Sequence, residues 1–212
     1  MDKPRPTTHT SSAEQTPDLP AIEFVAQGSF RIHNPDTSHS PSSWEPAPQQ
    51  LGVDRELIKI DSSEAVRSHT LALMLQAQNS LCIYSADLEA ELYNHACIVQ
   101  ACTELLLQHP KKTLRILLRD TSRITRDGHR LLTLSHRLSS RCQIRKVNLE
   151  HEYSDDAWLI ADDCGLLIRK AQQLTQGVVY YHDPARVRQN QRLFNAMWDV
   201  SHSDVNLRSM PL

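Results

Sequence analysis

The sequence predicts an α/β fold in which a mixed sheet is flanked by helices and preceded by a disordered N-terminal tail. Three observations carry this. Residues 1–53 hold eight of the eleven prolines, with many Ser and Thr, and too few apolar side chains to offset the entropy of ordering them. From residue 54 to about 147, short apolar runs alternate with stretches of helical period, the pattern of strands joined by helices. From 157 to 181, three short apolar runs follow at hairpin spacing, which calls for antiparallel strands in the same sheet. The expected division is a tail over 1–53, one domain over 54–202 and a C-terminal tail over 203–212, a domain of ordinary size with one core.

Each element has its own warrant. Glu56 to Ile60 reads as a strand, and Asp61 with Glu64 three residues on reads as a capping box for a helix over 62–78. Ser80 to Ser85, with Leu81, Cys82, Ile83 and Tyr84, reads as a buried strand. Asn94 is expected to cap a helix with Ile98, Ala101, Cys102 and Leu105 on its apolar face, ended by Pro110. Leu114 to Leu118 is strand, and Leu131, Leu134 and Leu138 recur at helical spacing. Cys142 to Val147 is strand again. Ala157–Ala161 and Gly165–Arg169 are joined by the turn Asp162-Asp163-Cys164, and Gly177–Tyr181 follows. Asp183-Pro184 then opens a helix with Val187, Phe194, Met197 and Trp198 toward the core. In the tail, Ile22–Val25 and Ser29–Ile32 alternate around Gly28 as a weak hairpin would.

Composition excludes several functions. A formal charge of -2 dictates no electrostatic partner, and only Lys3, Arg5 and Arg31 of the basic residues lie before residue 54. Five scattered glycines provide no phosphate-cradling or acyl-CoA loop. The five cysteines form no CxxC pair and read as reduced, buried thiols. With no apolar segment of about 20 residues and no apolar stretch after Met1, the expected location is cytoplasmic, without a membrane partner.

The segment Asp155-Asp156-Ala157-Trp158-Leu159-Ile160-Ala161-Asp162-Asp163-Cys164-Gly165 resembles the motif region of one half of the phospholipase D-like fold, with its strand, acidic turn and return strand. That resemblance implies a His-x-Lys-x(4)-Asp motif, in which a histidine attacks phosphorus and a lysine holds the phosphate oxygens. Here the motif is degenerate. Setting Asp162 at the motif aspartate puts Asp155 and Ala157 at the His and Lys positions, and setting Asp163 there puts Asp156 and Trp158 at them. Through Tyr84-Ser85-Ala86-Asp87-Leu88, Gly128-His129-Arg130-Leu131-Leu132 and Ala161-Asp162-Asp163, the chain is also similar to an uncharacterised bacterial domain of this fold, met alone or beside a GNAT-type acetyltransferase domain. No catalytic residue, cofactor or metal is therefore assigned.

Binding residues are sought where sites in open α/β sheets collect, past the strand ends. Ser85, Asp87, Asp120, Asp163 and His182 are expected to converge there on one cleft. His129 and His136 lie too far apart on a helix to share a metal, and His151-Glu152-Tyr153 with Asp155 and Asp156 groups acid/base residues in one loop. Arg186, Arg188 and Arg192 with Arg137, Arg141, Arg145 and Lys146 are a candidate basic patch. The reading is a non-catalytic regulatory module that binds a protein or small molecule, with nucleic acid disfavoured and a homodimer compatible. Its alternatives are a hydrolase relocated to His151 or His182 and an accessory module of an acetyltransferase.

Overall fold

The structure, a computed structural model, describes residues 44–148, 150, 155–170 and 173–208. The hairpin expected near residues 22–32 and the His151-Glu152-Tyr153 group lie outside the described residues.

Seven strands form one sheet: β1 (Ile58–Ile60), β2 (Ser80–Ser85), β3 (Thr113–Leu118), β4 (Cys142–Lys146), β5 (Ala157–Ala161), β6 (Gly165–Lys170) and β7 (Gln173–Tyr180), in the spatial order β1-β7-β6-β5-β2-β3-β4. The βαβ units make β2, β3 and β4 parallel. The later hairpins make β5, β6, β7 and β1 antiparallel to their neighbours. This is the mixed α/β architecture expected from the early alternation and the late hairpins.

Helices α1 (Ser63–Gln76), α3 (Ala96–Gln108) and α5 (Arg130–Arg137) cover one face, and α6 (Pro184–Val200) the other. Short helices α2 (Ala90–Tyr93) and α4 (Ser122–Arg126) interrupt the loops. Period-2 alternation sorts the strands between two cores. Leu81, Ile83, Leu114, Ile116, Leu159 and Leu167 face α1 and α3, whereas Cys82, Tyr84, Leu117, Trp158, Ile160 and Leu166 meet Val187, Phe194, Met197 and Trp198 of α6. All four α6 residues expected in the core are buried. Asp183 caps that helix, accepting the Arg186 N–H at 3.0 Å.

Two caps differ from expectation. Ser62, one residue past Asp61, accepts the Ala65 N–H and opens α1. His95, not Asn94, caps α3, because α2 already ends at Asn94, whose Oδ1 accepts the Arg130 N–H at 2.8 Å instead. Gly177 is required by packing, since a Cβ there would lie 2.2 Å from the Ile168 carbonyl beside the β6 bulge at Arg169 and Lys170.

Both domain boundaries move outward. Residues 44–53 pack on the domain: Trp44 stacks on His95 at 4.1 Å, the Ala47 N–H reaches the Ser68 carbonyl, and the Gly52 N–H reaches that of Tyr181. Leu51 lies so close to Gly165 that a Cβ on the glycine would come within 2.5 Å of it. The packed unit thus begins by Trp44 instead of residue 54, a strap that ends in a turn at Gly52 and that average composition concealed. At the other end, Leu207 is buried, and the Thr121 hydroxyl donates to Asp204 at 2.6 Å, so the chain remains packed past residue 202.

Candidate functional site

The motif position lies at the rim where β2 and β3 end and β5 begins. Ser85, the last residue of β2, is buried, and its Oγ accepts the Leu88 N–H at 3.2 Å. Leu88 takes a φ of 58°, a left-handed conformation costly for a branched side chain. The Arg119 N–H donates to the Ser85 carbonyl and the Asp120 N–H to that of Ala86, which binds the two strand ends together.

The charges of this rim meet in pairs. Arg119 reaches Asp155 at 2.8 Å, Arg123 reaches Asp87 at 2.8 Å, and Lys170 reaches Asp156 at 3.1 Å. Asp120 accepts the Ser122 N–H at 2.9 Å, and this bond is the first cause holding its carboxyl below the ordinary range. Deepest is Arg169, only 3% exposed, whose Nη2 donates to both oxygens of Glu89 at 3.1 and 3.2 Å and whose guanidinium lies 5.9 Å from the Tyr93 ring. Burial, and then the Glu89 charge, pushes the Tyr93 phenol up to about 12, against the opposing pull of Arg169. Ala157, at the motif lysine position, is the direct cross-strand neighbour of Arg169. Trp158, the alternative lysine position, is buried on the other face against Tyr84.

Asp163 and His182 lie at the opposite end of the sheet. Because β5 runs antiparallel to β2, it finishes beside the start of β2. Its five residues, at about 3.3 Å each, span about 15 Å. In the turn beyond, Asp162 takes a φ of 55° and accepts three successive N–H groups, of Gln78 and Asn79 at 2.7 Å and Ser80 at 2.9 Å. His182 follows β7 beside that same turn, where the Asp183 N–H donates to the Cys164 carbonyl. The expected single cleft is therefore corrected. Ser85, Asp87 and Asp120 share one rim, and Asp163 and His182 share the other, because the hairpin strand reverses direction relative to β2 and β3.

The basic patch is also divided. Arg141 donates to the Leu106 carbonyl at 2.6 Å, Arg145 lies 4.4 Å from the Trp198 ring and donates to the Trp198 carbonyl, and Arg186 pairs with Asp183 at 3.0 Å. His129 is not on the helix face but at its N-cap, where Nδ1 accepts the Leu131 N–H at 3.1 Å, and burial pushes its pKa down to about 4. His136 donates from Nε2 to the Leu207 carbonyl. Among the described residues, no group of three His, Cys, Asp or Glu could hold a metal. All five cysteines are free, with Cys82, Cys102 and Cys142 buried.

The sequence reading missed two arginines, Arg115 and Arg169. Each had a visible signal, a cation inside an otherwise apolar strand: Leu114-Arg115-Ile116-Leu117-Leu118 and Leu166-Leu167-Ile168-Arg169. It also missed a buried His69–Tyr181 hydrogen bond of 2.9 Å that joins α1 to the end of β7.

One family model matches residues 62–210, which takes in the sheet from β2 to β7 and all six helices. The chain belongs to DUF7931, a family defined by a domain of unknown function. No curated protein matches the sequence of this DUF7931 member. Among solved structures it is similar to TrmBL2, described as an archaeal chromatin protein with a novel mode of DNA binding, at 12% identity and a TM-score of 0.53, over 72% of this chain and 55% of that one. A phosphatidylserine synthase from Haemophilus influenzae matches at 16% identity and a TM-score of 0.44, over 70% of this chain and 40% of that one. The DUF7931 chain thus spans about half the length of these neighbours, and the likeness to TrmBL2 is one of fold alone. No helix among the described residues is long and apolar enough to cross a membrane.

Proposed function

We propose that this DUF7931 domain is a non-catalytic regulatory module, a phospholipase D-like half whose catalytic motif has degenerated and which binds a protein or small molecule in a bacterial cytoplasm. One observation carries the reading: the start of β5 offers Asp155 and Ala157 where phosphodiester chemistry needs a histidine and a lysine. Arg169, the cross-strand neighbour of Ala157, does not replace the lysine, because its guanidinium is committed to Glu89. A guanidinium is also no nucleophile. Asp155 and Asp156 already hold Arg119 and Lys170, so a phosphate approaching there would have to compete with carboxylates for those cations.

Free cysteines fit a reducing compartment. The rim pairs Arg119, Arg123, Arg169 and Lys170 with carboxylates, which supports a protein or small-molecule partner over a nucleic acid and leaves the DNA binding of TrmBL2 a property of that protein. The test is single-turnover hydrolysis of an activated phosphodiester and of phosphatidylcholine. We expect no product beyond the uncatalysed rate and no phosphohistidine. Turnover that His182→Ala or His151→Ala abolishes would overturn the reading in favour of a relocated hydrolase.

A further inference from the structure

On the sheet face covered by α6, Arg115 of β3 lies half-buried. Its guanidinium is 5.2 Å from the Phe194 ring and 5.4 Å from the Trp198 ring. Its Nη2 donates to the Cys82 Sγ at 3.5 Å. Burial is the first cause raising the Cys82 thiol above its ordinary range, outweighing the lowering by Arg115, so the sulfur is a neutral, weak acceptor and not a counter-charge. No carboxylate pairs with Arg115 among the described residues.

A guanidinium carries five N–H donors, and withdrawing it from water without an anion is unfavourable. Ring stacking offsets part of that cost and fixes the orientation of the planar fork. Beside it is a groove of about 370 Å³, lined also by Asn79, Ser80, Asp163, Arg188 and Gln191. Gln191 donates to Asn195 at 3.1 Å and to Cys82 at 3.7 Å, which fixes one amide against the groove wall. Asp162, at the same groove, spends its carboxylate on three backbone N–H groups.

We propose that this groove binds a small carboxylate-bearing molecule, with Arg115 as the fork that receives its carboxylate. A guanidinium offers two parallel N–H groups to two coplanar oxygens. Arg188 adds a second cation, and the exposed carboxylate of Asp163 disfavours a doubly charged phosphate group at the fork relative to a singly charged carboxylate group. The groove is separate from the motif rim, so its ligand stands or falls independently of whether the rim catalyses.

The test is thermal unfolding and calorimetric titration of the full chain with sodium glutamate, sodium succinate and inorganic phosphate, at ionic strength held constant with sodium chloride. A saturable rise in Tm with glutamate or succinate is expected. Arg115→Gln should weaken it at least tenfold, Asp163→Asn should strengthen it, and Arg192→Gln, at an exposed position, should leave it unchanged. Should Arg115→Gln not fold, Arg188→Gln reads the same site from its surface and should weaken binding severalfold. A response to phosphate alone, no saturable response to any of the three, or a carboxylate response that survives both Arg115→Gln and Arg188→Gln would overturn the proposal. None of these readouts depends on hydrolysis.

Discussion

The two ends of the sheet treat charge in opposite ways. At the rim where β2 and β3 finish, Arg119, Arg123, Arg169 and Lys170 each meet a carboxylate supplied by another loop or strand. At the end where β2 and β3 begin, a carboxylate is held by backbone N–H groups, and the arginine of β3 rests on aromatic rings and a thiol. The difference teaches where a ligand has something to gain. An anion arriving at the rim must compete with carboxylates already in place, whereas one arriving at Arg115 meets a guanidinium that no carboxylate among the described residues has claimed.

The comparison is broken most severely at Arg169. Arg169→Ala removes one half of a buried pair and leaves Glu89, with a side chain only 13% exposed, without its partner. We expect a loss of about 3 to 5 kcal/mol in a reversible denaturant melt. The paired change Arg169→Met with Glu89→Gln should recover most of it. Arg115→Met should instead alter stability by less than about 1 kcal/mol without ligand, because it removes a charge that has no ionic partner. Equal losses at the two arginines would erase the contrast.

A second prediction concerns pH. His129 is neutral in the folded chain down to about 4, while the unfolded chain takes up the proton near 6.5. Below 6.5 the unfolded state therefore binds more protons, and stability falls as pH drops from about 6.5 to about 4, by up to about 3 kcal/mol. Protonation would also remove the Nδ1 lone pair that accepts the Leu131 N–H and caps α5. His69, whose pKa burial also lowers, acts in the same direction. Unfolding midpoints across this range should lose most of their pH dependence in His129→Gln; an unchanged slope would assign it elsewhere.

A smaller loss than at Arg169 or His129 is expected at the β5–β6 turn. Asp162→Ala deprives three N–H groups of their acceptor, two of them near water, and places alanine at a φ of 55°. A cost of about 1 to 2 kcal/mol follows, and Asp162→Asn should cost less, since asparagine tolerates that backbone conformation. A neutral Asp162→Ala would show that the turn is not pinned by its carboxylate.

The strands and long helices were legible because period is local. Leu114, Ile116 and Leu118 alternate toward one face, and Val187, Phe194, Met197 and Trp198 recur toward the other, whatever the rest of the chain does. The site was less legible because it depends on direction. Ser85 ends β2 and Asp163 follows β5, yet the two strands run oppositely and place these residues at opposite ends. Caps shifted by one residue where a short helix intervened, as at Asn94 and His95. The irregular strap of residues 44–53 carries no period at all, and its docking rests on single contacts such as Trp44 on His95 and Leu51 against Gly165. The pairing of Arg169 with Glu89 joins residues 80 apart in sequence, a distance over which no local pattern speaks.

The contrast between the two ends is tested most directly by titrating the isotopically labelled full chain with sodium glutamate and following backbone and arginine side-chain resonances residue by residue. The account predicts saturable shifts at Arg115, Gln191 and Asn195, with Arg119, Asp155 and Arg169 unmoved. Shifts gathered at Asp155, Arg119 and Arg169, with Arg115 unmoved, would contradict it and return the binding site to the motif rim.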